Sequence, residues 1–556
     1  MPDLIKQNGI HYTPENLAAF LAQRTLLAYG KSSKSISVVD PACGDGNLLV
    51  AIAQNAKPSV RRRMQLFGFE RDPDAASNAQ ANLSNLGVAS VTIVKHDFLD
   101  VVKKDDGFRY DIVIANPPYV RTQVLGSREA QSLAKRFGLS GRVDLYHAFS
   151  IAMASVLRDG GTLGLLTSNR FLTIKSGVKL RTYLREHFDI AEVIDLGDTK
   201  LFSASVLPVV VAAQKKSDNG GKFHDEAPFT RIYECRSHTE LEEETATTCD
   251  VLDGVSDPTV AGKLRTEQGV YEIERGRLAI GQDDAIWTLA TPQSNAWLKT
   301  VERYQVAKFS DVANIRVGIK TTADAVFIRE RWDDLDKASR PERKLIHPLI
   351  THHDAERWSI DGTPIRKSVL YPHQLRDGRR EAIRLEDFPR AAAYFDSHRE
   401  RLEGRSYVTE SGRNWYEIWV PHRPTDWTEP KIVFPDISER PTFFLDRSTA
   451  IVNGDCYWIT LKNGYPEDWL YLILAIANST FITDYYDHRF HNKLYAGRRR
   501  FMTQYVKQFP LPDLKCDDSR QIIRLTKKIL AAKRPSTRSR LESESDVLVR
   551  QAFGVD

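Results

Sequence analysis

The sequence predicts an α/β fold, a doubly wound and mostly parallel sheet followed by a mixed α/β domain. Three observations carry that expectation. From about residue 36 to 213, apolar strand-like runs alternate with helix-like stretches. Each run ends in Gly, Asp, Asn or Pro. From about residue 300 onward the rhythm gives way to aromatic-rich segments with many Arg, Lys and His. Strand–helix alternation argues for a parallel sheet covered on both faces. In such sheets ligands bind outside the carboxyl ends of the strands.

The strands read in order as SISVVDPAC, MQLFGFERD, SVTIVKHDF, YDIVIANPP, GTLGLLTSN, AEVIDLGD and VLPVVVAAQKK. Helix-like segments such as NLLVAIAQNA, DAASNAQANLSNLG and DLYHAFSIAMASVLRDGG lie between several of them. Residues 215–228 are polar and glycine-bearing, and 239–250 are acidic, so this stretch reads as surface connections or insertions. The expected division is a first domain over 1–300 (core 9–215, connection 216–300) and a second over 301–515. A tail over 516–556 reads as two short charged helices split by Pro535.

Composition sets the outer limits. The 556 residues exceed what one hydrophobic core supports. The five cysteines form no CxxC pair, which argues against a disulfide framework or a cysteine-rich zinc site. The start lacks a signal-like apolar run, and no 18 consecutive apolar residues occur, so a cytoplasmic protein without a membrane span is expected. The His pairs in THHDAERW and HRFH lack a matching third ligand, so no metal is expected. A net charge of +5 permits a polyanionic partner if the charge is clustered.

The strand ends carry the chemistry. Gly44 and Gly46 in DPACGDGNLL let the backbone approach a ligand closely. GDG is not GxGxxG and no Lys follows, which suits a cofactor without a pyrophosphate. Asp40 or Asp45 offers a carboxylate to a cationic group. Glu70, ending the second strand, is placed to grip ribose hydroxyls, and Asp97 beside Phe98 suits an adenine edge and face. The fourth strand ends in Asn116-Pro117-Pro118-Tyr119. Neither proline can donate to a ladder, and the residue before a proline is pushed out of the helical region. A stiff corner holding one amide and one aromatic ring results.

Taken together, GIHYTPENLAAFLAQR, DPACGDGNLL, GFERDP, HDFL, NPPY and TKLFSASVLPVVVAAQ resemble, in order and spacing, the S-adenosylmethionine-dependent N(6)-adenine DNA methyltransferases of the TaqI and Eco57I-like type. The resemblance implies a Rossmann-like class I catalytic fold followed by a target-recognition domain. It implies that the Asn116 side-chain oxygen and the Pro117 carbonyl accept the hydrogens of a flipped adenine's amino group, while Tyr119 and Phe202 stack on the base. Thr13 would contact the methionine end of the cofactor. Asp40 takes an acidic position where many relatives carry Glu. Ala42 and Gly44 belong to the glycine motif, Glu70 to the ribose, Asp97 and Phe98 to the adenine, and Pro118 packs against that ring. In the second half, Arg489, Lys493, Arg498, Arg499 and Arg500, with Lys320 and Arg423, are the candidate DNA contacts. The implied partners are duplex DNA and a separate cognate restriction endonuclease, with the chain acting as a monomer. No convincing PD…(D/E)xK nuclease constellation is found. A methyltransferase acting on protein glutamine or ribosomal RNA, and a non-catalytic specificity subunit, are the other readings.

Overall fold

The computed structural model describes residues 13–555 apart from 31–32, 103–106, 108, 119–131, 134, 138–144, 174–176, 200, 202–206, 218–225, 236–245, 281–286, 361–363 and 491–497. The chain divides into two compact units, one over Met1–Gln293 and the other over Ser294–Lys493 with Arg498–Asp556.

The first unit is built on one sheet. Its strands are β1 (Ile36–Asp40), β2 (Met64–Phe69), β3 (Ser90–Val94), β4 (Tyr110–Ala115), β5 (Leu157–Ser168), β6 (Phe188–Asp195), β7 (Pro208–Lys215), β8 (Glu226–Glu234), β9 (Ala246–Thr247), β10 (Gly262–Thr266), β11 (Gly269–Ala279) and β12 (Thr288–Ala290). They lie in the order β3-β2-β1-β4-β5-β7-β6-β8-β11-β10-β9, with β12 on β11. The pairs β2–β3, β1–β2, β1–β4 and β4–β5 are parallel, whereas β7 runs antiparallel to both β5 and β6. The strand order reverses at β1 and β4, which opens a crevice beyond their carboxyl ends.

The strands read as near-continuous apolar runs because both faces of the sheet are covered. All five residues of β1 are buried. One face packs Phe69, Phe98, Phe149, Met153 and Phe171; the other packs Leu17, Leu21, Leu49, Ile52 and Leu83. Each fully buried side chain of this size contributes roughly 1.5–3 kcal/mol. Helix α1 (Glu15–Tyr29) supplies Leu17, Leu21 and Thr25 to that second layer, and α2 (Asn47–Asn55) supplies Leu49 and Ile52.

The stretch expected as connections over 216–300 contributes strands instead. β8 pairs in parallel with β6, and β11 pairs with β8 over nine residues from Tyr271↔Glu234 to Ala279↔Glu226. Ala227, Phe229 and Leu278 bury on one side of the sheet, and Ile232 and Ile273 on the other. The polar loops between these strands hide them in the sequence.

The second unit contains a five-stranded sheet in the order Ala313–Val317, Cys456–Leu461, Lys431–Pro435, Phe444–Asp446, Trp358–Ser359 and a four-stranded one of shorter segments. Helix Asp517–Ala531 buries Ile522, Ile523 and Ile529 and packs on Asp468–Asn478 and on Pro535–Ala552. Among the described residues, no helix is long and apolar enough to cross a membrane.

Candidate active site and nucleic-acid interface

The crevice at the ends of β1 and β4 gathers most of the residues that the motifs single out. Asp40, the last residue of β1, is 1% exposed. Burial pushes its carboxyl up to about 7, the Ala42 N–H bonded at 3.0 Å to Oδ1 opposes this, and the neighbouring Glu70 charge adds to it. Burial also raises the Asp45 carboxyl. The turn that follows needs Gly44 (φ 54) and Gly46 (φ 90), both in the left-handed region that side chains disfavour. It is stitched to β2 by the Cys43 N–H on the Phe69 carbonyl (2.9 Å) and the Gly44 N–H on Glu70 Oε2 (2.9 Å). The other Glu70 oxygen accepts from the Asp72 N–H at 2.9 Å. Glu70 is thus held half-buried at the tip of β2 with its carboxylate beside the glycine turn.

Asn116 leaves β4 with its Nδ2 donating to the Thr13 hydroxyl at 3.0 Å. Asn47, the first residue of α2, donates from its own Nδ2 to the Thr13 carbonyl at 3.4 Å. A buried threonine from the start of the described chain therefore ties the Asn-Pro-Pro corner to the glycine turn. The sequence motifs name Thr13 and Asn116, but nothing in them marks Asn47 as the third member. Pro117 is buried and Pro118 half-buried.

One expectation changes just beyond β3, at Phe98. Asp97 caps the short helix Phe98–Val101, its Oδ1 accepting from the Leu99 N–H at 2.8 Å. The Phe98 ring is 1% exposed, edge-on to Phe69 at 5.2 Å and stacked on Phe149 at 6.1 Å. It offers no face to an adenine; it is core, and supports the crevice from beneath. Tyr119, Phe202 and Lys493 lie outside the described residues.

Sequence motifs also miss a buried polar cluster at the ends of β5 and β6. Asp195 accepts from Asn169 Nδ2 (3.0 Å), from the Gly197 N–H (3.1 Å) and from the Tyr233 hydroxyl (3.0 Å). Burial raises its carboxyl and these hydrogen bonds act against that rise. Tyr233 belongs to β8, so the added strands reach the same carboxyl edge as the crevice.

In the second unit the basic candidates separate into two groups. Arg499 pairs with Asp487 through Nε (2.8 Å) and Nη2 (2.6 Å), its side chain only 11% exposed. Arg500 pairs in the same two-pronged way with Asp436. Each guanidinium is matched to a carboxylate, and Arg499 is the more buried of the two. Arg489 lies 3.7 Å from Glu302 across a largely exposed pair. Arg498, Lys320 and Arg423 are exposed, and Lys320 and Val420 exchange backbone hydrogen bonds of 3.1 Å, which brings the Lys320 and Arg423 segments side by side. Among the described residues no group of His, Cys, Asp and Glu is arranged to hold a metal.

The strand order with its antiparallel β7, together with the carboxylates at the β1 and β2 tips, defines a class I S-adenosylmethionine-dependent methyltransferase fold. Residues 49–202 match the Eco57I restriction-modification methylase family, and residues 377–511 match the TaqI-like C-terminal specificity domain. The chain is 37% identical to the Type II methyltransferase M.BanIII of Aneurinibacillus aneurinilyticus, over 99% of this chain and 98% of that one. It is 23% identical to M.BstVI of Geobacillus stearothermophilus over 92% and 91% of the two chains. The chain belongs to the Type II methyltransferases of restriction–modification systems, with an Eco57I-like methylase domain and a TaqI-like specificity domain. The fold is shared with the Type ISP restriction–modification enzyme LlaGI, solved with a DNA substrate mimic: TM-score 0.55 at 13% identity, over 94% of this chain but only 47% of that one.

Proposed function

We propose that this protein transfers a methyl group from S-adenosylmethionine to the exocyclic amino group of an adenine flipped out of duplex DNA. The observation that supports this best is the Thr13–Asn116–Asn47 link at the mouth of the crevice. With one Nδ2 hydrogen on the Thr13 hydroxyl, the Asn116 amide has its oxygen as the acceptor end. The Pro117 carbonyl is the second acceptor. Two acceptors on one amine draw its lone pair out of the ring and aim it, so catalysis is mainly positioning by preorganised groups.

The cofactor, when bound, supplies an electrophilic methyl on a sulfonium. The Glu70 carboxylate, exchanging its backbone partners for ribose hydroxyls, and the Gly44 turn, without a Cβ in the way, fit that donor. Ala42, Asp97 and Pro118 line its remaining sides, with Asp40 facing the cationic end. Tyr119 and Phe202 take the two faces of the extruded base, recovering about 1–3 kcal/mol per stacked base against a few kcal/mol of unstacking. Arg489, Arg498, Lys320 and Arg423 are the phosphate contacts of this reading. The chain acts as a monomer in the cytoplasm, with a separate cognate endonuclease.

The test is direct. Purified protein and labelled cofactor are incubated with duplex DNA, release-factor protein and ribosomal RNA, and DNA from expressing cells is sequenced for modified bases. N(6)-methyladenine in one motif is the expected result. Label in protein or RNA alone would overturn the reading.

A further inference from the structure

In the second unit, one element carries charge for which the fold itself has no use. His373–Arg376 and Arg379–Ala382 form a two-stranded antiparallel ribbon separate from the larger sheets. Asp377 (φ 49) and Gly378 (φ 72) turn it, giving positive φ at both central positions of the two-residue hairpin. Its root is fixed in the core. His373 is buried, and burial first, then the charges of Arg380 and Arg413, pushes its imidazole down to about 3. The neutral ring accepts the Ile418 N–H on Nε2 at 3.2 Å. The Tyr416 hydroxyl donates to the Ile383 carbonyl at 2.7 Å just beyond the second strand.

From Leu375 to Glu381 every residue is exposed. The register sets Arg376 directly opposite Arg379. Directly opposed residues share a face, and like charges so placed repel. Among the described residues, no carboxylate forms an ion pair with Arg376, Arg379 or Arg380. The repulsion is left for something outside the chain to relieve. The ribbon root also lies beside the Pro424–Trp427 turn, on the flank of the exposed Arg423.

We propose that this ribbon enters the major groove of duplex DNA, with the Arg376 and Arg379 guanidinia meeting phosphate oxygens or guanine edges there. The major groove admits a two-stranded ribbon, and guanidinium forks match both kinds of acceptor. The proposal rests on the DNA reading above and adds the element that engages the duplex.

The experiment uses full-length protein carrying Arg376→Ala with Arg379→Ala, and separately Arg376→Gln with Arg379→Gln. Duplex affinity is measured against salt, methylation is compared at intact and singly mismatched sites, and cofactor affinity serves as the check on folding. Affinity for DNA is expected to fall about tenfold or more, with cofactor affinity unchanged. A salt slope shallower by about two assigns phosphates; an unchanged slope with relaxed choice at a G·C pair assigns guanine edges. Unaltered affinity, slope and site preference in variants of a wild type that methylates DNA would overturn the ribbon's role alone. A wild type that modifies no DNA would overturn the underlying reading instead.

Discussion

In the crevice of the first unit the charged groups are carboxylates drawn inward. Asp40 is buried, and both Glu70 oxygens are already taken by backbone N–H groups. In the second unit the prominent charges are guanidinia, and only some are matched: Arg499 and Arg500 have carboxylate partners, while Arg376, Arg379 and Arg498 face water. A pocket for one small molecule can be preorganised before the ligand arrives, since the same groups meet the same atoms each time. A surface for a polyanion has to hold charge unspent, and in water at ordinary salt that costs little.

Mutations that separate the two halves of this contrast test it. Asn116→Ala is expected to have the largest effect, a drop of about 10²-fold or more in methyl transfer with cofactor and DNA affinities retained, because its acceptor acts mainly in the transition state. Rapid-quench turnover with parallel binding titrations checks this; comparable losses in binding and rate would assign Asn116 a structural role. Glu70→Gln should weaken cofactor binding by roughly tenfold to a hundredfold, the range for hydrogen bonds to a charged group, and leave duplex affinity alone. Calorimetry on the same preparation reads the first, anisotropy the second.

Arg499→Ala should lower stability by about 1–3 kcal/mol, since it strands the half-buried Asp487 carboxylate. Its DNA salt slope should stay at the wild-type value. Arg498→Ala should do the reverse, leaving the denaturation midpoint in place and reducing the slope by about one. The smallest effect concerns pH. With the Asp40 carboxyl raised to about 7, the free pocket holds a proton in mildly acid solution that a cationic ligand must displace. Cofactor affinity should therefore rise from pH 5.5 to about 7 and then level off. In Asp40→Asn the profile over that window should be flat. For stability the sign is opposite: a buried acid that titrates above its unfolded value favours the fold at low pH and loses that contribution as pH rises through about 7.

How much of this was legible in the sequence follows from what each feature is made of. The seven runs from SISVVDPAC to VLPVVVAAQKK become β1 to β7, because strands buried on both faces advertise themselves as unbroken apolar segments. The insertion of β7 between β5 and β6 is a long-range pairing with no local mark. The later strands escape notice because acidic and glycine-bearing loops separate their short apolar runs. Phe98 misleads since a motif position fixes where a residue sits in the chain, not which way its ring turns. Arg499 and Arg500 misleads the same way: a basic run reads as surface until Asp487 and Asp436, distant in sequence, are seen to neutralise it. The hairpin was written in LRDGRR, but its strands lack alternating hydrophobics, since the outer part of the ribbon has water on both faces.

The hydroxyl that Tyr233 extends from β8 to Asp195 has a practical corollary for anyone wishing to isolate the catalytic half. Cutting the chain after residue 215, where the motifs stop, would strip β6 of β8, leaving it only β7, and would take the Tyr233 donor from a buried acid. A fragment ended there should precipitate; one carried on to residue 293 retains every strand the sheet needs.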